Sequence, residues 1–130
     1  MIVSLHIATG AVAGALLGSR RAALVAGPLL HLAGDRMPHW DIASKRFEQW
    51  SGLALMAALA ATRGPLDPAT VGAFAAEAPD LEHVVRLPRP GGRKLFPSHR
   101  FRGWHRPGGV PAWAQVFAAG VLVGLVLRRP

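Results

Sequence analysis

The sequence predicts an all-α protein: a small membrane-associated bundle of about four main helices and one short helix, with polar ligands gathered at one end. Ala, Gly and Leu are abundant and long alternating Val/Ile/Thr runs are missing, which favours helices over strands. Apolar residues make up 51% of the chain and charged residues only 17%, a profile between a soluble domain and a polytopic membrane protein. At 130 residues the chain is one domain with one core.

The cysteine count and the net charge restrict the chemistry that the chain can support. The chain has no Cys, so we expect neither a disulfide framework nor a thiolate metal site, and any metal must be held by imidazole and oxygen. The net charge of +8 predicts an anionic partner: lipid headgroups, a phosphoester or nucleic acid.

The first helix is predicted over residues 2–18. Its small and polar residues recur at four-residue steps and therefore share one stripe: His6, Gly10, Gly14 and Gly18. Small residues at this spacing let a second helix approach closely. We therefore expect a packing face with an imidazole at one end.

The second helix is predicted over residues 22–37, after a polar turn. Its stripe again runs in steps of four: Ala23, Gly27, His31 and Asp35. Pro38 disfavours helical geometry at the residue before it, so the helix is expected to end near Met37.

An antiparallel hairpin of these two helices brings their stripes to face each other. His6 lies about 13 residues before Ser19 and His31 about 12 residues after it, so at about 1.5 Å per residue the two imidazoles reach similar depth. Asp35 follows one turn later. The hairpin therefore predicts that His6, His31 and Asp35 converge.

The remaining elements follow in order. A third helix is predicted over 47–62, and a short helix over 68–76 begins with Asp67 as N-cap and Pro68 in its first turn. A basic Pro/Gly-rich loop covers 86–111. The last helix covers 112–127 and is closed by Arg128 and Arg129.

A membrane location is predicted from the alternating helix directions. The apolar segments are about 14 to 17 residues long, short of the ~20 needed to cross a bilayer upright. All four Trp and ten of the fifteen Lys and Arg fall at the ligand end, as an interfacial aromatic belt and the positive-inside rule require. We therefore expect a bacterial-type inner membrane, with the ligand end facing the cytoplasm.

Residues 31–41 hold the densest group of candidate ligands. His31 and Asp35 present an imidazole and a carboxylate from one helical face, and His6 supplies a third donor. His39 or Asp41 completes the site or begins a second one nearby. The alternative is that His31 and Asp35 form a buried, hydrogen-bonded pair without an ion. A buried carboxylate needs a partner whether or not an ion is bound.

A second group follows the short helix. Asp80 is a candidate ligand or a helix cap, and Glu82 or His83 beside it is a ligand, a base or a partner that fixes an imidazole tautomer. The predicted catalytic residues are Asp41, Glu82 and His83. The predicted metal ligands are His6, His31, Asp35, His39, Asp80 and His99.

Residues 93–106 interleave cations, aromatic residues and two histidines. This pattern predicts a phosphate-binding loop whose histidines close the metal site. Its predicted anion-binding residues are Arg93, Arg100, Arg102 and Arg106. The alternative is a basic juxtamembrane loop attracted to anionic lipid. Nucleic-acid binding is disfavoured because the run follows no recognised module.

These motifs resemble a known family. An early helical His, His-x3-Asp followed by Pro-His-x-Asp, Pro-Asp-x-[acid]-His and a late Ser-His-Arg are similar to the membrane-bound metal-dependent hydrolases. Those are small multi-helix inner-membrane proteins, distantly similar to zinc-dependent phospholipase C. The resemblance implies the following residues near a metal: His6, His31, Asp35, Asp80 and His83.

The leading prediction is that the chain binds a divalent metal ion, zinc or manganese, and hydrolyses a phosphoester or lipid headgroup. Two other classes stay open. One is a non-enzymatic membrane scaffold or assembly protein, in which the polar cluster stabilises a helix junction. The other is a haem-binding bundle with His6 and His31 as axial ligands.

Overall fold

A computed structural model describes residues 1–128 and shows helices joined by loops throughout that range. The helices are α1 (Val3–Leu17), α2 (Arg20–Arg36), α3 (Lys45–Arg63), α4 (Pro68–Glu77), α5 (Leu81–Val84), α6 (Pro97–Arg100) and α7 (Ala112–Arg128). Single 3₁₀ turns lie at Ala78–Asp80 and Pro90–Gly92. The all-α prediction is confirmed. Arg129, predicted to close α7, lies outside the described residues.

Local backbone and side-chain contacts fix the helix ends close to where the sequence predicted them. Gly18 ends α1 with a left-handed φ of 61°, and Ser19 Oγ accepts the Ala22 N–H at 3.4 Å as α2 begins. Asp67 Oδ1 accepts the Ala69 N–H at 2.8 Å and caps α4, as predicted.

α4 lies between α1 and α2 and contacts both. A Cβ at Gly10 of α1 would collide with the carbonyl oxygen of Gly72, and a Cβ at Gly27 of α2 would collide with Ala75. Gly10, Gly14 and Gly27 therefore face α4. The expectation that they face each other is wrong, because a third helix fills the space that their small size creates.

The apolar core lies where α1, α3, α4 and α7 meet. Ile7 of α1 and Leu59 of α3 are fully buried there, next to Ala73 of α4 and Val123 of α7. Because α4 contributes mainly Ala and Gly, it keeps α1 and α2 close together. Polar side chains near the N-terminus of α1 and the C-terminus of α2 can therefore meet.

The segment after α2 is tied to the segment before α7. The Trp40 N–H donates to the Val110 carbonyl and the Val110 N–H donates to the Pro38 carbonyl, both at 3.0 Å. Gly109 has a φ of 71°, and a Cβ there would collide with the Pro38 carbonyl oxygen, so only Gly fits. Gln115 donates to the Trp40 carbonyl at 2.9 Å. These bonds bring the end of the long loop over α2.

Membrane crossing is not seen in this bundle. Over residues 1–128, each helix is too short or too polar to cross a bilayer. Apolar side chains are nonetheless exposed along one face of α7: Trp113, Phe117, Val121 and Leu125. The helical bundle is thus confirmed, while its membrane association stays a prediction.

Candidate metal centre

His and Asp side chains from several helices meet beside the N-terminus of α1 and the C-terminus of α2. The predicted convergence of His6, His31 and Asp35 is confirmed. His6 Nε2 lies 3.1 Å from Asp35 Oδ1, and His31 Nε2 lies 3.1 Å from Asp35 Oδ2. Four further side chains join this group: Asp80, His83, His99 and His105.

Asp35 is the central residue of the group and is only 1% exposed. Its Oδ1 accepts the Met1 ammonium at 2.9 Å, and its Oδ2 accepts the Ser98 hydroxyl at 2.6 Å. Burial opposes ionisation of this carboxyl, but hydrogen bonds from the surrounding imidazoles, His105 foremost, outweigh burial and hold the pKa of Asp35 well below its usual value. Asp35 is therefore a carboxylate, the form that binds a cation.

α4 determines which nitrogen of His31 carries the proton. His31 Nδ1 lies 2.7 Å from the carbonyl oxygen of Ala76, which can only accept, so Nδ1 carries the proton and donates. Nε2 of the same ring faces Asp35 and His99, so it is the nitrogen that would bind a cation. Histidines that bind metals in proteins are usually oriented in this way.

Glu82 holds His99 in the same manner. His99 Nδ1 donates to Glu82 Oε1 at 2.5 Å, and Glu82 also accepts the backbone N–H groups of Leu95 at 2.7 Å and Phe96 at 3.4 Å. Of the three roles predicted for Glu82, this geometry supports the one that fixes an imidazole tautomer. It places Glu82 behind His99 rather than in the position of a catalytic base.

The His99 ring carries a proton on both nitrogens at pH 7. Burial lowers its pKa, but hydrogen bonds to Asp35, Asp80 and Glu82 more than compensate and raise the pKa of His99 to about 9. A cation that binds Nε2 must therefore displace the proton there.

Two imidazole nitrogens and two carboxylate oxygens of this group lie near one another, and among them those of His31, Asp35 and His99 are close enough to share an ion. The Nε2 atoms of His31 and His99 are 3.4 Å apart. Asp35 Oδ2 lies 3.1 and 3.6 Å from them, and Asp80 Oδ1 lies 3.7 and 3.2 Å from them. Donors at about 2.0–2.1 Å from a tetrahedral Zn²⁺ are about 3.3–3.4 Å from one another. Donor chemistry and spacing both fit a divalent ion.

His6 lies against the face of His31. The two rings are fully buried and stacked, with centroids 3.8 Å apart and planes 14° apart. Burial lowers the pKa of His6 to about 4, so the ring is neutral and its Nε2–H donates to Asp35. Its Nδ1 is buried without a hydrogen-bond partner in the described chain. His6, His31 and Asp80 are also close enough to share an ion.

The haem alternative does not fit this stacking. Two axial imidazoles lie on opposite sides of the haem plane, so the porphyrin separates their rings. The direct contact between His6 and His31 leaves no space for it. This arrangement therefore does not support a haem held by these two residues, and the haem alternative stays a prediction.

His83 lies at the exposed edge of the group. Its Nε2 is 3.8 Å from Asp80 Oδ1, and 44% of its side chain is exposed. Lys94 Nζ lies 2.9 Å from Nδ1 and 3.3 Å from Nε2 of the same ring. Burial, with His99 and Lys94 nearby, lowers the pKa of His83, so the neutral ring accepts a hydrogen bond from Lys94.

His39 and Asp41 pair with each other outside the ligand group. His39 Nδ1 donates to the Met37 carbonyl at 2.6 Å, and its Nε2 lies 3.2 Å from Asp41 Oδ1. The Asp41 side chain is 74% exposed. Among residues 1–128, neither belongs to a set of three donors close enough to share an ion. The structure therefore does not bring His39, a predicted ligand, or Asp41, predicted as catalytic, into the site.

The predicted anion-binding arginines lie on the same loop as His99 and His105. They are all exposed to solvent: Arg93, Arg100, Arg102 and Arg106. Their charges are therefore available to an anion that approaches the ligand group from solvent.

A further acid, Glu77, lies on α4 directly after Ala76. Its Oε2 is buried without a hydrogen-bond partner in the described chain. Burial, together with the carboxylates of Asp80, Glu48 and Asp35, raises the pKa of Glu77 to about 9. Glu77 is therefore uncharged at pH 7.

Sequence reasoning missed two partners of the ligands. The Ala76 carbonyl and the Ser98 hydroxyl hold His31 and Asp35, and no side-chain pattern marks either contact. His105 was predicted to close the site as one of the loop's two histidines, but it was not named among the ligands. Its position depends on the pairing of residues 38–40 with 106–110, which hydropathy does not reveal.

Comparisons with known proteins give no match. No family model matches the chain, and neither a curated protein nor a solved structure is significantly similar to it. The resemblance to metal-dependent hydrolases thus rests on the motifs alone, and the function must be argued from the site.

Proposed function

We propose that this chain binds a divalent metal ion, zinc or manganese, through His31, His99, Asp35 and Asp80. The observation that carries the proposal is that the imidazoles of His31 and His99 are held in the same orientation by hydrogen bonds from Nδ1. The Nδ1 atoms of His31 and His99 each donate to an oxygen, so both Nε2 atoms face the same two carboxylates. Imidazole and carboxylate are ligands that both metals accept.

The proposed reaction is hydrolysis of a phosphoester, with a lipid headgroup as one source. A bound divalent ion would polarise a phosphoryl oxygen and lower the pKa of a water molecule. The chain itself would hold the anion through the exposed arginines of the loop, of which Arg100 directly follows His99. The resemblance to the membrane-bound metal-dependent hydrolases supports this reaction class.

Elemental analysis of the purified protein tests the metal site. We expect about one zinc or manganese ion per chain, retained in Asp41→Asn and lost in His31→Ala and His99→Ala. Asp41→Asn is a suitable control because that carboxylate is exposed and outside the group. A folded wild-type protein that takes up neither metal contradicts the proposal. It favours the scaffold alternative, in which Asp35 serves only to join helices.

The proposal also places the protein at an anionic membrane surface, such as a bacterial-type inner membrane. α7 exposes apolar side chains at four-residue steps, among them Phe117 and Val121, and the loop exposes arginines. Co-sedimentation with phosphatidylglycerol vesicles is expected, weaker in high salt and in Phe117→Glu. If the protein binds neither phosphatidylglycerol nor phosphatidylcholine vesicles, the proposed membrane location is wrong. The proposed metal site would not be affected by that result.

A further inference from the structure

One cation of the basic loop lies against the ligand group itself. Lys94 Nζ is 2.9 Å from Nδ1 and 3.3 Å from Nε2 of His83. The His83 ring packs against the His99 ring with centroids 4.3 Å apart, and His83 Nε2 lies 3.8 Å from Asp80 Oδ1. A single imidazole therefore separates the Lys94 ammonium from two of the proposed metal ligands.

Contacts of the neighbouring backbone hold Lys94 in this position. The Leu95 N–H donates to Glu82 Oε2 at 2.7 Å, and the Phe96 N–H donates to Glu82 Oε1 at 3.4 Å. The same Glu82 carboxylate is buried and accepts Nδ1 of His99. Because one buried carboxylate holds both the His99 ring and the backbone directly after Lys94, the position of the ammonium relative to this proposed ligand is fixed.

No carboxylate neutralises the charge of Lys94 within residues 1–128. The half-buried ammonium contacts an imidazole, and in that range of the chain it forms no ion pair. The arginines predicted to bind an anion differ from it, because they are all exposed and none contacts the ligand group by a hydrogen bond or ion pair within the described chain: Arg93, Arg100, Arg102 and Arg106. Lys94 is therefore the cation of this set that lies at the site with its charge free for an anion.

We infer that Lys94 binds a phosphoryl oxygen of the anion at the metal centre, an inference that rests on the proposed metal site and its phosphoester ligand. A phosphoester has more than one unbridged oxygen, so one oxygen can bind the ion while another accepts from the ammonium. A lysine and a divalent cation act together on one phosphoryl group in many phosphate sites. The ammonium exchanges its contact with His83 for a charge-assisted hydrogen bond, which is stronger.

Binding of inorganic phosphate to the zinc-loaded protein, measured by titration calorimetry at one ionic strength, tests the inference. Lys94→Gln is expected to weaken phosphate binding about 10–100-fold, because a hydrogen bond between two charged groups is lost. Lys94→Arg keeps the charge and should retain most of the affinity. The zinc content should be unchanged in both variants, because an ammonium is not a metal ligand. Arg21→Gln removes one exposed charge at the end of α2 far from Asp35 and should bind phosphate like wild type.

Competition for the bound phosphate distinguishes the two sources of a phosphoester. Displacement of phosphate by dimethyl phosphate supports the inference with a soluble ester as the ligand. Displacement by phosphatidylglycerol vesicles but not by dimethyl phosphate supports it with a lipid headgroup as the ligand. If neither displaces phosphate, the inference is wrong, because the site then takes inorganic phosphate and no ester.

The variants separate failure of the inference from failure of the proposed function. Equal phosphate affinity in wild type and Lys94→Gln overturns the inference and leaves the proposed function intact. An equal loss in Arg21→Gln also overturns it, since the effect would then come from net charge. Loss of zinc from a folded Lys94→Gln overturns it as well, because phosphate binding would then fall with the ion. If zinc-loaded wild type binds no phosphate, both the inference and the phosphoester reaction are wrong, while the metal site remains.

Discussion

At the scale of single residues, the orientation of two imidazoles is set by acceptors that lie behind them. The Ala76 carbonyl takes the Nδ1–H of His31, and the Glu82 carboxylate takes that of His99. Both bonds fix a ring and direct its other nitrogen to Asp35 and Asp80. Loss of either acceptor should therefore weaken metal binding without removing a ligand.

The first prediction concerns Glu82→Gln. The amide cannot accept from His99, Leu95 and Phe96 as the carboxylate does, so the His99 ring loses its fixed orientation. We expect metal affinity to fall about 10–100-fold. Competition with a chromogenic chelator measures this, and Glu48→Gln is the control because that acid lies on α3. Equal affinity in wild type and Glu82→Gln would contradict a positioning role.

The second prediction is a pH dependence of metal binding. The pKa of His99 is raised to about 9, so at pH 7 the ion must displace a proton from Nε2. Apparent affinity should therefore rise about tenfold per pH unit from pH 7 to about 9 and then level off. Calorimetry in two buffers of different ionisation enthalpy should record the release of about one proton. An affinity that does not change with pH would count against His99 as a ligand.

The third prediction concerns Glu77→Gln. The folded-state pKa of Glu77, about 9, lies above its usual 4.5, so the folded chain keeps a proton that the unfolded chain releases. The contribution of this proton to the free energy of unfolding is fully present below about pH 4.5 and is lost as the pH rises towards 9. We expect the variant to be about 1–3 kcal/mol more stable than wild type at pH 8 and nearly equal at pH 4. Urea denaturation in the presence of EDTA measures the free energy of unfolding of both proteins at each pH. The same difference between variant and wild type at pH 4 and pH 8 would contradict the prediction.

Several site residues could be predicted from the sequence because helix geometry is fixed. A rise of about 1.5 Å per residue places His6 beside His31, and the four-residue step places Asp35 on the same face as His31. Ser98 and His105 could not be assigned in the same way. They reach Asp35 from a loop, whose course depends on backbone hydrogen bonds rather than on periodicity.

At the scale of helices, the position of α4 explains the glycines of α1 and α2. The stripes at Gly10 and Gly27 predicted close approach correctly, but small residues do not specify which helix approaches. α4 was predicted only as a short helix, and no packing partner was predicted for it. Its own small residues, such as Gly72, let it fit between the other two helices.

The fourth prediction compares two glycine substitutions. Gly72→Ala places a methyl group against the Gly10 carbonyl and should destabilise the fold by about 1–3 kcal/mol or more. Gly120→Ala on α7 meets no atom within 4 Å and should be neutral or stabilising by about 0.5–1 kcal/mol. Thermal denaturation of both variants tests this. Equal effects would mean that α1 and α4 are not in close contact.

At the scale of the whole molecule, the ligand group joins α1, α2, the turn after α4, and α6. An ion shared by these elements binds only the folded chain and should stabilise all of them together. The free energy of metal binding at one end of the bundle therefore adds to the free energy of unfolding of the whole chain.

The fifth prediction is therefore a loss of thermal stability on metal removal. Free ion at a hundredfold excess over Kd adds about 2.7 kcal/mol, which raises Tm by roughly 10 °C for a chain of this size. Scanning calorimetry with zinc and with EDTA measures the shift, and His31→Ala should show none. A wild-type Tm that zinc does not change would contradict metal binding at this group.

The central place of α4 also bears on how the chain folds during synthesis. α1 and α2 leave the ribosome well before α4, so for that interval the faces that carry Gly10 and Gly27 have no helix against them. The donors on α5 and α6 and in the following loop emerge later still. A nascent chain is therefore expected to form its bundle and its ligand group in a single late step, once the segment through His105 is available.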